Sequence, residues 1–290
     1  MKESLRRMLT RFGLTKAPAP PKSASRRSAE AHASTSPGFV GTVTRTGETI
    51  YDHRGLRFHS LTLNAADLGL LENPSQIRGG FKIRVAKQPG GRLRAGSLVE
   101  KRYSGRGYTT SQSDEDPNLS TFIAYDEGVL VGTVSVRLDS SQGLSSDDLY
   151  QAELDALRAR GDKLCEFTRL AVDKTVASKP VLAGLFHTAY LYAAVIRDYT
   201  HAVIEVNPRH VTFYRRALGF EPIGEKRMNK RVNAPAVLLC VPFAAIAEGL
   251  RLYAGTPLTA GTGRSLFPYG FHAEEERGVL ARLRLLVQEH

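Results

Sequence analysis

The chain has 290 residues, of which 42% are hydrophobic, and its formal net charge is +11. This length suits one sizeable domain with extensions or two small domains, and the composition is ordinary for a globular protein. Eight Lys/Arg and two Glu lie in the first 38 residues, so about half of the basic excess belongs to a tail. A nucleic-acid-binding protein needs a basic face on its folded body, and we expect no nucleic-acid partner.

The first 38 residues are predicted to form a disordered basic tail. Residues 16–38 are rich in Pro, Ala, Ser and Arg and nearly free of acid, a composition that cannot bury a core. Residues 2–12 have an apolar helical face flanked by arginines. That segment is either a weak membrane-surface anchor or a frayed end. Residues 39–80 follow as an N-terminal extension of short strand-like pieces.

The elements that follow the extension alternate between strands and helices. Polar and apolar residues alternate at residues 81–87, which predicts a half-buried strand, and a helix is expected across residues 93–103. Strand-forming residues on both sides of a turn at residues 126–128 predict a hairpin. Residues 145–160 are typical of an amphipathic helix, with Ser146 as its N-cap.

The central stretch of the chain is predicted to form strand, helix, strand and helix in turn. Apolar residues alternate around Glu166 and Arg169 in the first strand, where a charge is costly unless it has a partner. Residues 181–196 are apolar on nearly every face, which favours a buried helix. A short strand at residues 202–206 precedes Asn207-Pro208, an N-cap with proline at the first helical position.

The rest of the chain completes the predicted domain and extends it. Residues 221–225 and 236–241 are predicted to pair as closing strands of a central domain that spans residues 81–243. Residues 244–290 are predicted to form a C-terminal helical extension. Its last helix, at residues 273–288, begins with three glutamates that suit the positive end of a helix dipole.

The two cysteines and the longest apolar run indicate where the protein resides. Cys165 and Cys240 both lie in predicted strands, and two buried reduced thiols are typical of a cytoplasmic protein. No residues have zinc-ligand spacing, so no metal site is expected. The apolar run at residues 181–196 is shorter than the roughly 18 residues that span a bilayer. We therefore expect a cytoplasmic protein, with peripheral membrane contact through the tail as the alternative.

The last helix of the central stretch ends in Phe213-Tyr214 followed by Gly219-Phe220. At these residues the chain resembles the Gcn5-related N-acetyltransferase (GNAT) superfamily. The resemblance implies the GNAT-like acyl-CoA N-acyltransferase fold, an α/β (α+β) fold whose mixed central sheet is flanked by helices. The acetyltransferases hold the coenzyme A pyrophosphate on a Gln/Arg-x-x-Gly-x-Gly/Ala loop after the central strand. Residues 173–184 lack the glycines that let a backbone approach a phosphate.

Two related families give a closer resemblance. The strand segment Glu166-Phe167-Thr168-Arg169 looks like the Glu-x-Ser-Arg strand of the acyl-homoserine-lactone synthases, with Thr in place of Ser. The long helix and the Asn-Pro-Arg-His…Phe-Tyr run at residues 207–214 look more like the long-chain N-acyl amino acid synthases. Both belong to a branch that uses acyl carrier protein. The resemblance covers roughly residues 95–243.

N-acylation by a thioester needs a base for the amine, donors for the oxyanion and an acid for the leaving thiolate. Glu166 is the predicted base, with a structural ion pair as the alternative. Arg169 is predicted to organise Glu166 or to bind the carboxylate of the acceptor, for which a guanidinium is suited. Residues three apart in a regular strand face opposite sides, so these two share a site only if the strand bulges. By analogy with the superfamily Tyr214 is the predicted acid, or else it only packs. The alternation of its strand predicts that Glu205 faces outward.

Other residues are predicted to contact the substrates. The lactone synthases carry an arginine and aromatic residues after their first strand, and Arg102, Tyr103 and Tyr108 are loose counterparts. Four more predicted residues lie at or near the start of the last central helix. Arg209 and His210 are placed near where a phosphopantetheine arm would run, with surface solvation as the alternative, and helix capping is the alternative for Asn207. The predicted substrate-binding residues are Arg102, Tyr108, Asn207, Arg209, His210 and Phe213.

A set of basic residues is predicted to dock acyl carrier protein. Acyl carrier proteins are acidic, so a basic patch would attract them, although surface solvation explains the same residues. No bound cofactor is expected, since the phosphopantetheine arm arrives on the carrier. The predicted docking residues are Arg215, Arg216, Lys226, Arg227, Lys230 and Arg231.

The sequence therefore predicts an N-acyltransferase that moves a long-chain acyl group from acyl carrier protein to the α-amine of an amino acid. The resemblance leaves three alternatives. They are a lactone synthase that uses S-adenosylmethionine, an acetyl-CoA-dependent acetyltransferase, and a non-catalytic sensor that keeps the fold.

Overall fold

The structure is a computed structural model. It describes residues 49–52, 81–86, 95, 116–126, 128–173, 179–257 and 264–288. The predictions made for residues 1–38, for most of residues 39–80, for the helix at residues 93–103 and for Arg102 and Tyr108 lie outside the described residues.

The described residues form one mixed sheet of nine strands, in the order β1-β2-β3-β4-β5-β6-β9-β7, with β8 paired to β9. Among the strands that the structure describes, only β5 and β6 pair in parallel, and every other pair is antiparallel. The strands are β1 (Thr49–Asp52), β2 (Phe81–Val85), β3 (Leu119–Asp126), β4 (Val129–Leu138), β5 (Leu164–Val172), β6 (His201–Val206), β7 (Glu221–Pro222), β8 (Arg227–Asn229) and β9 (Ala234–Pro242).

Helices cover both faces of this sheet. Short 3₁₀ turns at Pro208–His210 and Phe267–Tyr269 and a π-helical turn at Leu191–Ile196 adjoin or connect them. The α-helices are α1 (Asp147–Ala159), α2 (Lys179–Tyr190), α3 (Val211–Leu218), α4 (Phe243–Tyr253) and α5 (Ala273–Gln288).

The two faces of the sheet bury different side chains of the same strand. On one face α1 packs over Leu164, together with Val203 and Leu238. On the other face, α2 and the C-terminal elements cover Cys165 and Phe167. Successive side chains of a strand point to opposite faces. Glu166 therefore lies on the α1 face, and its neighbour Phe167 lies on the α2 face.

The parallel strands β5 and β6 separate near the middle of the sheet. Their pairing covers only Leu164 to Glu166 of β5, opposite His201 to Val203 of β6, although both strands continue. An opening therefore begins just beyond Glu166. In open α/β sheets, ligands bind in the crevice outside the carboxyl ends of parallel strands, and β5 and β6 are such a pair.

The helix of residues 179–196, α2 with its π-helical turn, is the one helix among the described residues that is both long and strongly apolar. By length and average hydropathy these 18 residues would suffice to cross a membrane, yet 67% of the segment is buried inside the protein. A Cβ on Gly184 would lie 3.0 Å from the ring of Phe81. Glycine here lets α2 approach β2 closely, as in the core helix of a globular protein.

Most sequence-predicted elements of the described residues are confirmed, with boundaries that shift by a few residues. Asn207 caps the turn after β6, since its Oδ1 accepts the N–H of Arg209 at 3.3 Å. Ser146 occupies the N-cap position of α1 as predicted, but its side chain makes no cap hydrogen bond. Asp147 Oδ2 instead accepts the N–H of Leu144 at 2.6 Å and holds the turn that precedes α1.

The C-terminal residues pack onto the same core as the central sheet. Ile246 and Leu250 of α4, and Val279 and Leu283 of α5, are buried in the cluster that contains Phe167. Arg282 Nη1 of α5 donates to the carbonyl of Ile50 in the edge strand β1 at 2.7 Å.

Candidate active site

Glu166 lies at the last paired position of β5, where the opening between the two parallel strands begins. Only 3% of the residue is exposed. The N–H of Ser145, in the turn before α1, donates to its Oε2 at 2.8 Å. Within the described part of the chain, Glu166 forms no ion pair. The sheet thus holds a buried carboxyl group by a backbone amide rather than by a cation.

This environment raises the pKa of Glu166 to about 7. Burial is the largest cause, since it disfavours the charged form. The hydrogen bond from Ser145 and the positive charge of Arg137 on β4 act in the opposite direction, and the nearby Glu205 raises the pKa further. A carboxyl group that titrates near neutral pH can both take up and release a proton, as a general base requires.

Glu205 lies beside Glu166, and the prediction that it faces outward is wrong. It is two residues beyond Val203, the partner of Glu166 in the ladder, so it points to the same face of the sheet. The amide of Asn229 donates to its Oε1, and Arg231 lies 3.9 Å from its Oε2. Burial raises its pKa. Alternation could not reveal this, because a central strand is covered on both faces.

Arg169 occupies a bulge in β5. Thr133 pairs with Ala171 and Ser135 with Thr168, so β5 has one residue more than β4 across this step. Arg169 has φ +50°, a left-handed conformation that is uncommon for residues with a Cβ. The strand therefore bulges, as a shared site would require. The arginine that acts electrostatically on Glu166 is Arg137 on the neighbouring strand.

Tyr214 approaches the same region from the opposite face of the sheet. Its ring centroid lies 6.2 Å from that of Phe186 on α2, and the Phe186 ring lies 6.3 Å from that of Phe167, the residue after Glu166. Phe213, beside it on α3, is 41% exposed. Glu166 and Tyr214 therefore flank the sheet from its two sides.

The predicted residues at the start of the last central helix lie directly after β6. Asn207 ends the strand as a cap. Arg209 is exposed, and its Nε lies 3.1 Å from Nε2 of His210. These residues therefore stand at the carboxyl end of the strand that diverges from β5.

Three of the predicted docking residues form ion pairs with acidic groups of the protein itself. Arg227 pairs with Glu153 at 2.5 Å and lies over the ring of Tyr150 at 4.8 Å. Arg231 lies 3.3 Å from Asp148 Oδ2 and donates to the carbonyl of Ser145 at 2.9 Å. Arg215 forms an ion pair with Glu221 of β7, with 3.2 Å between its Nε and the carboxylate Oε2. These pairs depend on tertiary contacts that a run of basic residues does not reveal.

Three predicted docking residues keep exposed charges. Arg216 lies on α3, and Lys226 and Lys230 stand at the two ends of β8. Among the described residues none of the three forms an ion pair. The charges of these three side chains therefore face solvent.

The fold and this site define a GNAT-like acyltransferase. Among solved structures, that of FeeM, an N-acyl amino acid synthase from uncultured soil microbes, is 33% identical to the chain, with a TM-score of 0.54. The match covers 59% of this chain and 95% of that one. The acyl-homoserine-lactone synthase LasI matches at 14% identity and a TM-score of 0.45, over 62% of this chain and 98% of its own.

The family model of the N-acyl amino acid synthase FeeM matches residues 94–242. Curated proteins give no match. The family match spans β3 to β9 and includes Glu166, Arg169 and Tyr214. The chain therefore belongs to the FeeM family of N-acyl amino acid synthases.

Proposed function

We propose that the protein transfers a long-chain fatty acyl group from acyl carrier protein to the α-amine of an amino acid. Glu166 carries this proposal: a carboxyl group with a pKa of about 7 at the point where β5 and β6 separate. Membership of the FeeM family supports the amino acid as acceptor.

The proposed reaction forms a C–N bond and breaks a thioester C–S bond. Glu166 accepts a proton from the ammonium group of the acceptor, and the free amine attacks the thioester carbonyl. Backbone N–H groups of β5 beyond the end of the β5–β6 ladder are the candidates to stabilise the oxyanion. When the tetrahedral intermediate collapses, the thiolate leaves and takes a proton from Tyr214. The attacking nitrogen gives up its second proton, which restores the phenol of Tyr214, and Glu166 releases its proton to solvent. Arg169 binds the carboxylate of the acceptor.

Acyl carrier protein is the proposed donor for two reasons. The segment after β5, residues 173–184, lacks the glycines of the pyrophosphate loop that the acetyltransferases use. The exposed charges of Arg216, Lys226 and Lys230 suit an acidic carrier. The phosphopantetheine arm of the carrier then enters where β5 and β6 diverge, near Arg209 and His210. We further propose that the protein works in the cytoplasm.

The test compares donors that carry one acyl chain. Purified protein is given acyl carrier protein, coenzyme A or pantetheine loaded with the same long-chain acyl group, together with a mixture of amino acids. We expect N-acyl amino acids by mass spectrometry, with the highest kcat/KM for the carrier protein.

Other products would identify the other members of the superfamily. Acyl-homoserine lactone from S-adenosylmethionine would replace this proposal with a lactone synthase. Acetylated amines formed only from acetyl-CoA would indicate an ordinary acetyltransferase. No product from any donor would leave a non-catalytic protein of this fold.

A further inference from the structure

The strand β8 and the turn after it present one face to solvent and the other to the protein. On the inward face, Arg227 pairs with Glu153 of α1 at 2.5 Å. The amide of Asn229 donates to Oε1 of Glu205 on β6, and Arg231, in the turn, lies 3.9 Å from Oε2 of the same carboxylate. This inward face therefore joins α1 to the strand beside the proposed base. The side chains that alternate with it are exposed, namely Lys226, Met228 and Lys230.

The carboxylate of Glu205 is held in place, but its charge is only partly compensated. Its side chain is 13% exposed, and Asn229, which donates to its Oε1, is buried. Among the described residues no donor forms a hydrogen bond with its Oε2, and Arg231 lies beyond hydrogen-bonding distance. A hydrogen bond to a carboxylate favours the ionised form. Asn229 therefore stabilises a negative charge that no contacting cation neutralises.

Glu205 and Glu166 lie side by side on the α1 face of the sheet. Val203, the ladder partner of Glu166, is two residues before Glu205, so the two side chains point to the same face. Two neighbouring buried carboxyl groups do not ionise together without a cost, because like charges repel. Glu205 is the more exposed of the two and has a side-chain donor. It therefore ionises first, and the base must ionise beside its charge.

Other charged or titratable groups around the two carboxyl groups do not supply this charge. Arg137 of β4 favours the ionised form of the base. Arg231 likewise favours ionisation of Glu205, and Asp148 of α1 opposes it. The phenol of Tyr150, on α1, is neutral, because burial raises its pKa to about 12. The negative charge that acts on the base is that of Glu205.

We propose that Glu205, held by Asn229, is a positioning residue whose charge makes Glu166 a strong enough base to take a proton from the ammonium group of the acceptor. The proton passes from the nitrogen to Glu166, and Glu205 stays ionised throughout. This inference rests on the proposed function, because it assumes that Glu166 deprotonates an amine. It goes beyond that function in assigning a role to the second carboxyl group and to the inward face of β8.

The test is the pH profile of kcat/KM for the amino acid, whose acidic limb includes the ionisation of the base. Glu205→Gln keeps an oxygen for Asn229 but removes the charge, so the base should ionise at lower pH. We expect the ratio of kcat/KM at about pH 6 to that at about pH 8 to rise at least about threefold over wild type. The maximum should fall, because a weaker base accepts a proton less readily. The amine of the acceptor titrates identically in every variant.

Asn229→Ala tests the donor that holds Glu205. Without this hydrogen bond Glu205 is ionised less often, so the acidic limb should move in the same direction as in Glu205→Gln. When both changes are combined, the loss of Asn229 should move the limb no further, since no charge is left for it to hold. A merely structural role for Asn229 would not give this pattern.

Glu153→Gln is the matched control. Glu153 pairs with Arg227 on the same inward face of β8, but it has no part in the hydrogen bond to Glu205. Its loss should lower the melting temperature and leave the acidic limb in place. Isotope-edited NMR of the side-chain carboxyl groups, with the Glu166 signal assigned by its absence in Glu166→Gln, gives a second readout that needs no turnover.

The outcomes separate this inference from the proposed function. If wild type forms N-acyl amino acids but folded Glu205→Gln and Asn229→Ala keep the wild-type limb and the wild-type titration of Glu166, the inference is overturned and the function stands. The same holds if Glu153→Gln moves the limb as much as Glu205→Gln. If wild type forms no N-acyl amino acid, the proposed function fails, and the role of Glu205 fails with it.

Discussion

A single buried carboxyl group links the stability of this protein to its proposed chemistry. Glu166 is held by one backbone N–H on the α1 face of the sheet, and burial raises its pKa to about 7. The ionised form needed to accept a proton is the form that burial disfavours. The proposed base should therefore lower the stability of the fold at alkaline pH.

Glu166→Gln should reveal this cost as a pH-dependent difference in the free energy of unfolding. The folded-state pKa lies above the usual value of 4.5, so the group favours the folded state at low pH and loses this contribution as pH rises through about 7. Between about pH 5 and about pH 8, wild type should lose about 2–3 kcal/mol relative to the variant. Urea unfolding of both proteins at each pH measures this difference.

Gln keeps an acceptor for the N–H of Ser145, so this hydrogen bond remains in the variant. An equal difference between the two proteins at both pH values would mean that Glu166 titrates as an ordinary surface carboxyl group. The group would then lack the basicity that the proposed mechanism needs.

At the scale of the element, β5 has a bulge that re-aims its side chains. Arg169 sits there with φ +50°, a conformation that Gly adopts without the steric cost that a Cβ imposes. The chain nonetheless has a long cationic side chain at this position. Backbone geometry alone does not account for arginine here, which points to a role for the guanidinium.

Arg169→Gly should keep the bulge and lose recognition of the acceptor carboxylate. A hydrogen bond to a charged group contributes about 1.5–3 kcal/mol, so preference for an amino acid over its decarboxylated amine should fall about 10–100-fold. Competition between these two acceptors for one acyl donor, read by mass spectrometry, measures the preference.

Arg169→Lys is the matched control, because it keeps both the charge and the Cβ in the left-handed conformation. It should retain part of the preference that Arg169→Gly loses. Wild-type preference in a folded Arg169→Gly variant would remove Arg169 from the acceptor site.

The sequence predicts the strands and helices better than it predicts the tertiary contacts between them. Alternation and helical periodicity indicate β5, α2, β6 and α3, because a strand or helix leaves its own period in the chain. Three features depend instead on neighbours distant in sequence. They are the short length of the β5–β6 ladder, the inward orientation of Glu205, and the ion pair between Arg227 and Glu153. The bulge at Arg169 could not be predicted from the sequence, because no glycine stands at the left-handed position. The sequence shows only that Glu166 and Arg169 would need a bulge in order to share a site.

At the scale of the whole molecule, the basic side chains around β8 fall into two groups: some form ion pairs with acidic residues of the protein, and others are exposed to solvent. Arg227 and Arg231 tie β8 and the following turn to α1. Lys226 and Lys230 stand on the exposed surface beside them. An acidic carrier would contact Lys226 and Lys230, because the two arginines already form ion pairs within the protein.

Reversal of both lysines, Lys226→Glu with Lys230→Glu, should raise KM for acyl carrier protein. Electrostatic steering changes association rates by about 10–1,000-fold, so we expect at least a tenfold rise in KM with kcat unchanged. The effect should shrink as salt increases. Steady-state kinetics at two salt concentrations measures it.

Two controls identify the cause of such a rise. KM for acyl-pantetheine, which carries no carrier protein, should stay at its wild-type value. Arg284→Glu, a reversal on the exposed face of α5, should leave KM for the carrier unchanged. Equal KM values for the double variant and wild type would exclude docking at these lysines.

The most direct measurement is the rate at which purified protein forms N-acyl amino acid from long-chain acyl carrier protein, with Glu166→Gln assayed beside it. We predict N-acyl amino acid from wild type and a loss of about 10²–10⁴-fold in the folded variant, the usual contribution of a general base. Acyl transfer by Glu166→Gln at the wild-type rate, or no N-acyl amino acid from wild type, would contradict the account.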